Sequence, residues 1–296
     1  MYQGTDIIEF LQTFSDDESC KKYLSDIKWK DGFSCKKCGH TGWCKTKKSY
    51  VRKCNKCKHK ESVTAGTLFH KVKFPLHKAF FIAFMMSTSK KSWSSEEFSR
   101  KLSLRQKTCW LFQQKVREAM ASSKDFPIMT KAVVDEFNVG GPEEKKRGRS
   151  KGKKKQVVMA IEYNDFGILR CYCKTIDGAG TKQLKPFIED YIDNDAEIKT
   201  DKWRGYSPLK KDYPKLEQIE SNKGKNFQLI HRQIMMLKGW LRGIHHRCTH
   251  LQGYLNEYCY RFNRLKSVKT IFNNLICRMM KAKPVTFNQL KLKWGT

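Results

Sequence analysis

The sequence predicts an α/β chain in which a small metal-knuckle module and a helical region precede a mixed-sheet domain. Three observations carry this expectation. Two C-x2-C pairs stand fifteen residues apart; capped helical segments follow them, broken by one tight turn; and beyond residue 131 apolar strand patterns alternate with helical ones.

The totals limit what such a chain does. Its 296 residues suffice for two or three modest domains, and 39% apolar content with 18 Phe, 11 Tyr and 7 Trp excludes wholesale disorder. Sixty Lys and Arg against 29 Asp and Glu leave a formal net charge of +31, which points to a polyanion partner, nucleic acid before anionic membrane. The most apolar run, FFIAFMM at 80–86, is too short to span a bilayer. The acidic, amphipathic start MYQGTDIIEFLQTFSDDES reads as neither a signal nor a transit peptide. The expectation is therefore a cytoplasmic, nucleoid-associated protein with no membrane partner, whose 12 cysteines are reduced thiols, some of them metal ligands.

Residues 1–29 read as an N-terminal helical segment. In the following module, 30–70, Cys35, Cys38, Cys54 and Cys57 have the spacing that closes a tetrahedron of thiolates around structural Zn2+, with Gly39 permitting a tight knuckle. Four protein ligands leave no open position for a substrate. Trp43, Tyr50 and Arg52 suit a short hairpin with a cationic outer face, and Cys20 and Cys44 lack partners at ligand spacing.

Residues 71–125 are predicted helical from about Pro75, a residue tolerated in a first turn. Ser94 with Glu97 fits a capping box, a break falls near Ser103-Leu104, and a longer helix follows. Trp110, Leu111, Val116 and Met120 recur near helical spacing, leaving Arg105, Gln106, Lys107 and Gln114 to face outward. Helix, tight turn and a second helix that opens on basic and amide side chains fits a DNA-reading helix-turn-helix. An ordinary helical hairpin remains the alternative.

From Lys131 the period changes. KAVVDEFNV is predicted as a strand, followed by a Gly- and Lys-rich loop, 141–155, in which eight of the eleven positions from Lys145 to Lys155 are Lys or Arg. QVVMAIEYN and ILRCYCKT follow as strands about a turn at Asp165-Phe166-Gly167. TKQLKPFIEDYI is helical, AEIKTD and LEQIE are short strands, and Gln228 to Met280 is mostly helix. This succession matches a ribonuclease H-like mixed sheet over 126–283, with 284–296 as a C-terminal tail. In that order Asp135 closes the first strand, Asp201 ends the fourth, and His231 sits early on the next helix. Two carboxylates brought together repel unless a cation lies between them, and Mg2+ prefers oxygen ligands. Glu136 points to the opposite face of its strand and is the weaker ligand candidate.

Several stretches together carry a resemblance: the cysteine knuckles, TAGTLFHKVKFPL, STSKKSWSSEEFSRKLSLRQKT, VVDEFNVGG with KKRGR behind it, TDKWRGY, IHRQIMMLKGWLRGIHH and HLQGYLNEYCYRFNR. Over about residues 18–281 the chain resembles the insertion-sequence transposases that join a zinc ribbon to a ribonuclease H-like DDE domain, bacterial relatives of the Merlin elements. The resemblance implies cleavage and rejoining of double-stranded DNA at an element's inverted-repeat ends and into a target, by a homodimer. It also implies two Mg2+ or Mn2+ ions, with Asp135 bridging both and Asp201 and His231 completing one each. The chain departs from most DDE enzymes in offering His231 where a Glu is usual, and resembles a branch with a DDH-plus-Lys arrangement. Lys238, seven residues on, shares nearly the same helix face and would touch a phosphate. Glu220 and Glu257 stay open as the third acid.

Backbone contacts to DNA are expected from Lys146, Arg147, Arg149 and Lys238, and groove contacts from Arg105, Gln106 and Lys107. His245, His246, Arg247, His250, Arg261 and Arg264, interleaved with aromatics, suit distorted DNA. Leu251, Tyr254, Leu255, Tyr258 and Phe262 recur at helical spacing and read as core. A catalytically inactive zinc-ribbon regulator that only binds DNA, and an RNA-associated ribbon protein, are the competing classes.

Overall fold

The computed structural model describes residues 1–140, 154–244 and 250–293, with side chains as far as Leu290. Two compact units emerge: residues 1–120 together with the stretch from Ser267 onward, and Ala121–Lys266.

The first unit begins with α1 (Ile7–Thr13) and α2 (Asp17–Lys28). Each starts on an aspartate: Asp6 accepts from the amides of Ile8 and Glu9, and Asp16 from that of Ser19, so orphan helix donors are satisfied locally. A three-stranded antiparallel sheet follows, β1 (Trp43–Lys45), β2 (Val51–Cys54) and β3 (Lys60–Ser62). Then come α3 (Leu76–Thr88), α4 (Ser95–Leu102) and α5 (Gln106–Ala119). The apolar run 80–86 is the centre of α3, where Phe80, Ile82, Ala83, Phe84 and Met86 are buried. Phe10 of α1 stacks on Phe84 with ring centroids 4.0 Å apart, and Phe272 meets Phe10 edge-on at 5.2 Å. Phe272 belongs to α9 (Ile271–Lys281), which is followed by α10 (Phe287–Lys293). The expected boundaries are corrected here: residues from Ser267 onward cluster with the N-terminal unit rather than with the sheet, and 284–296 contains a helix rather than only a tail. The reason is apolar burial, since Phe272, Leu275, Ile276 and Met279 line α9's inward face.

The second unit is built on β4 (Lys131–Val139), β5 (Lys155–Asn164), β6 (Gly167–Ile176), β7 (Glu197–Asp201) and β8 (Leu216–Ile219), in the spatial order β6-β5-β4-β7-β8. The pairs β4/β5 and β5/β6 are antiparallel, whereas β4/β7 and β7/β8 are parallel. This is a mixed five-stranded sheet with helices on both faces, the ribonuclease H-like arrangement expected. One face carries α6 (Thr181–Tyr191), whose Leu184, Phe187 and Ile188 pack on Ala132, Val134, Val158, Ala160 and Ile198. The other carries α7 (Gln228–Arg242) and α8 (Leu251–Phe262), which pack on Val133, Phe137, Val157, Met159 and Ile161. Strand alternation thus assigns even-numbered β4 residues to the α6 face and odd-numbered ones to the α7 face.

β6 lies at a sheet edge, where unpaired backbone groups invite another strand. Two amides of the α8 region occupy them. Asn263 accepts from Cys171 N at 2.8 Å and donates to Cys171 O at 2.9 Å, as a neighbouring strand would. Gln252 accepts from Thr175 N at 2.9 Å and donates to Cys173 O at 3.3 Å. Replacing Asn263 by Leu is expected to cost about 1–3 kcal/mol. A lower urea midpoint with increased light scattering at equal concentration would show it.

Candidate metal and nucleic-acid sites

The cysteine module is assembled by two matched knuckles. Gly39 N donates to Cys35 O at 2.8 Å and Lys58 N to Cys54 O at 3.1 Å, so both turns close in the same way. Gly39 at φ 71° and Lys58 at φ 59° sit in the left-handed region just after the second cysteine of each pair. The four sulfurs all lie within 4.8 Å of one another, with Cys35–Cys57 at 3.5 Å and Cys38–Cys54 at 3.7 Å. Tetrahedral Zn2+ with bonds of about 2.3 Å requires sulfurs about 3.8 Å apart, so the set fits zinc. The half-buried Arg52 rests its guanidinium on two aromatic rings, 4.2 Å from that of Trp29 and 4.0 Å from that of Trp43. Beside the ribbon, Lys28 pairs with the buried Glu61 at 2.8 Å and also donates to Ser62 O and Ala65 O. Burial pushes the Cys20 thiol up to about 12, in keeping with an unreactive core residue.

In the helical region Ser94 Oγ accepts from Glu97 N at 3.1 Å, and Ser103, at φ 51°, makes the turn between α4 and α5. Arg105, Gln106 and Lys107 are exposed at the start of α5. Gln106 is steadied by donating to Ser95 Oγ at 2.6 Å, and Lys107 Nζ lies 5.5 Å from the Phe287 ring. Gln114 is a correction. It is fully buried, and with its amide oxygen turned inward it accepts from Trp110 Nε1 and Arg117. Trp110 and Arg117 lie one turn to either side, so the amide satisfies polar groups within the core rather than reading a partner.

The acid pair depends on the parallel register. β4 and β7 pair Lys131 with Glu197, Ala132 with Ile198 and Val133 with Lys199. Carried two residues further, the same offset sets Asp201 level with Asp135. Asp201 pairs across β8 with Ile219, which packs on the α7-face core, and Asp135 alternates with Val133 and Phe137 on that same face. On α7, His231 Nε2 lies 3.2 Å from Asp135 Oδ2. Lys238 follows two turns on, its ammonium 5.3 Å from the Phe137 ring. Burial lowers its pKa, Asp135 opposes that shift, and Arg242 and Lys154 add to it. The amine is thus within electrostatic range of the acid.

Asp201 is held by a tightly bonded loop. Its Oδ1 accepts from Trp203 N at 3.1 Å, while Gln218 Nε2 donates to the carbonyls of Asp201 and Trp203. Trp203 Nε1 donates to Ala179 O at 2.6 Å, and Thr181 Oγ1 to Gly205 O at 2.8 Å. A Cβ at Gly205 would stand 2.5 Å from Ala179 O, so only glycine permits that approach. Sequence reasoning missed these supports, although the Trp, Gly and Tyr of TDKWRGY were their signal.

Of the alternative third acids, Glu220 is exposed and 3.7 Å from Lys202, and Glu257 is fully buried on α8 with Arg261 at 3.6 Å. Arg261 also stacks near Trp240 at 5.9 Å, and Arg264 over Tyr260 at 4.1 Å, so both are engaged within the unit. Lys146, Arg147, Arg149, His245, His246 and Arg247, and most of the 141–155 loop, lie outside the described residues. Among the described residues, the four cysteines are the metal-type cluster gathered within 4.8 Å; Asp135, Asp201 and His231 are set more loosely. Two carboxylates and an imidazole nitrogen on one face are nevertheless a donor set suited to a divalent cation of the Mg2+ or Mn2+ type. Among the described residues no helix is long and apolar enough to cross a membrane.

Residues 132–263 match the family model of the ISXO2-like transposase domain, and residues 15–60 match that of the transposase zinc-ribbon domain. No curated protein matches the chain. The first match spans the sheet from Ala132 onward, α6, α7 and all of α8; the second contains all four cysteines. Replacing Cys54 by Ser is expected to abolish the binding of about one zinc per chain. Zinc release on unfolding and the near-ultraviolet dichroism of the ribbon tryptophans would measure the loss.

Proposed function

We propose that this chain, an insertion-sequence transposase by both of its matched domains, binds the terminal inverted repeats of its element and cuts and rejoins DNA there by phosphoryl transfer. The observation that carries the reading is the 3.2 Å approach of His231 Nε2 to Asp135 on the α7 face, toward which the β4/β7 register, carried two residues past its last rung, would bring Asp201. Asp135, Asp201 and His231 would hold Mg2+ or Mn2+. Such ions supply Lewis-acid activation of a water, later of a 3′-hydroxyl, and stabilise the leaving oxygen.

The chain's own residues do the positioning. Asp135, between His231 on α7 and Asp201 on β7, is the acid placed to be shared. Lys238, on the same helix face as His231, presents a cation to a phosphate oxygen next to the reacting one. Its partial burial strengthens that contact, because less water competes. Trp203 and the 201–206 loop keep Asp201 from swinging away from the sheet end.

Arg105, Gln106 and Lys107 open α5 as an exposed group suited to a DNA groove, and the ribbon supplies a second basic surface. Phosphate contacts from Lys146, Arg147 and Arg149 complete this reading, and a homodimer that brings two element ends together belongs to it. A positive charge of +31 makes binding steeply salt-dependent.

Asp135→Asn is expected to lower cleavage of inverted-repeat DNA by about three orders of magnitude, with binding by gel shift at fixed salt unchanged. Absence of cleavage by the unaltered protein would instead leave a DNA-binding regulator. Because imidazole is a poorer partner for Mg2+ than carboxylate, cleavage should be faster in Mn2+ than in Mg2+. His231→Glu should reduce that preference; equal rates in both metals for the unaltered protein would contradict the ligand role of His231.

A further inference from the structure

We propose that Glu136 and Tyr206 form a positioning strut which holds the Asp135 and Asp201 segments at the separation a divalent cation requires. This rests on the reading of those two aspartates as a metal-holding pair. Glu136 is not a ligand in this account. It follows Asp135 on β4, points to the α6 face and is 9% exposed. Tyr206 closes the 201–206 loop, is fully buried in the α6-face core, and donates its hydroxyl to Glu136 Oε2 at 2.8 Å.

The location gives the bond its purpose. The paired rungs between β4 and β7 end at Val133 and Lys199, two residues short of the acids on each strand. Beyond that rung, two carboxylates of like charge repel while no cation lies between them. The Tyr206–Glu136 bond joins the two segments three residues past the last β4 rung, on the face opposite the acids. It therefore restrains the strand ends without occupying any position where metal or substrate would bind.

The rest of the loop transmits the restraint. Tyr206 N donates to Trp203 O, and Trp203 N to Asp201 Oδ1, so the phenol is linked to the Asp201 carboxylate by two short backbone steps. Burial first, then Glu136 and its hydrogen bond, then Asp135 and Asp201, raise the Tyr206 pKa well above its ordinary value. The phenol thus stays a neutral donor, and both aspartates lie within its electrostatic range. A motif of Asp followed by Glu on one strand, and Asp followed five residues later by Tyr on the other, is what such a strut needs.

The test uses the zinc-loaded full chain and measures Mn2+ binding directly, by the loss of the free-ion paramagnetic resonance signal, alongside thermal unfolding and cleavage against Mn2+ concentration. Tyr206→Phe and Glu136→Ala each remove the bond, whereas Glu136→Gln keeps an acceptor for the phenol. Tyr206→Phe and Glu136→Ala are expected to weaken Mn2+ binding about tenfold and to raise the half-saturating Mn2+ for cleavage more than they lower the rate at saturation. Glu136→Gln should stay within about threefold of the unaltered protein. Unchanged Mn2+ affinity in Tyr206→Phe or Glu136→Ala, with or without a lower melting temperature, would overturn the strut. So would a Glu136→Gln protein as weak as Glu136→Ala. Mn2+ binding that does not respond to Asp135→Asn would mark a different failure: the metal-holding role of the acids would fall, and the strut with it.

Discussion

The parallel pairing of β4 with β7 is the constraint on which the acid site depends. In a parallel pair, residues in register share a face, so one offset fixes whether two distant aspartates meet. Here the offset that pairs Ala132 with Ile198 beneath α6 also sets Asp135 and Asp201 under α7. A slip of one residue would turn Asp201 toward the α6 core and bury Thr200's neighbour on the wrong side. The apolar residues of both faces thus specify the register, and the chemistry uses the ends that the core leaves in line.

Charge alone would not make this arrangement stable. The loop after Asp201 is held by Gln218, Ala179, Thr181 and Glu136, each through a specific hydrogen bond. These bonds lie where strand pairing has ended, and they bear on a segment that must hold its place against repulsion. The ribbon solves a different problem. Too small to bury a large apolar core, it relies on four convergent thiols and on an arginine enclosed by two tryptophans.

Much of this was legible in the sequence because it is local. The knuckle spacing, the Ser94 cap, the Asp165–Gly167 turn and the alternation in VVDEFNV each act within a few residues, and the side on which Asp135 points follows from period two. Gln114 was misread because an amide in a helix looks exposed until a half-buried Trp110 and a buried Arg117 need it. The return of α9 to the N-terminal unit was hidden for another reason: Phe272 has the same helical spacing whichever core it joins, and only its meeting with Phe10 decides. The side chains of Asn263 and Gln252 that cover β6, and of Tyr206 that reaches Glu136, are likewise long-range bonds with no periodic signature.

The most direct measurement is anomalous scattering from Mn2+ in crystals of the zinc-loaded protein bound to an element end. The account predicts a manganese peak between the carboxylates of Asp135 and Asp201 with His231 Nε2 as a ligand, distinct from the zinc peak at the four cysteines. Manganese located away from both aspartates, or bound to them with His231 turned aside and Glu220 or Glu257 in its place, would contradict it.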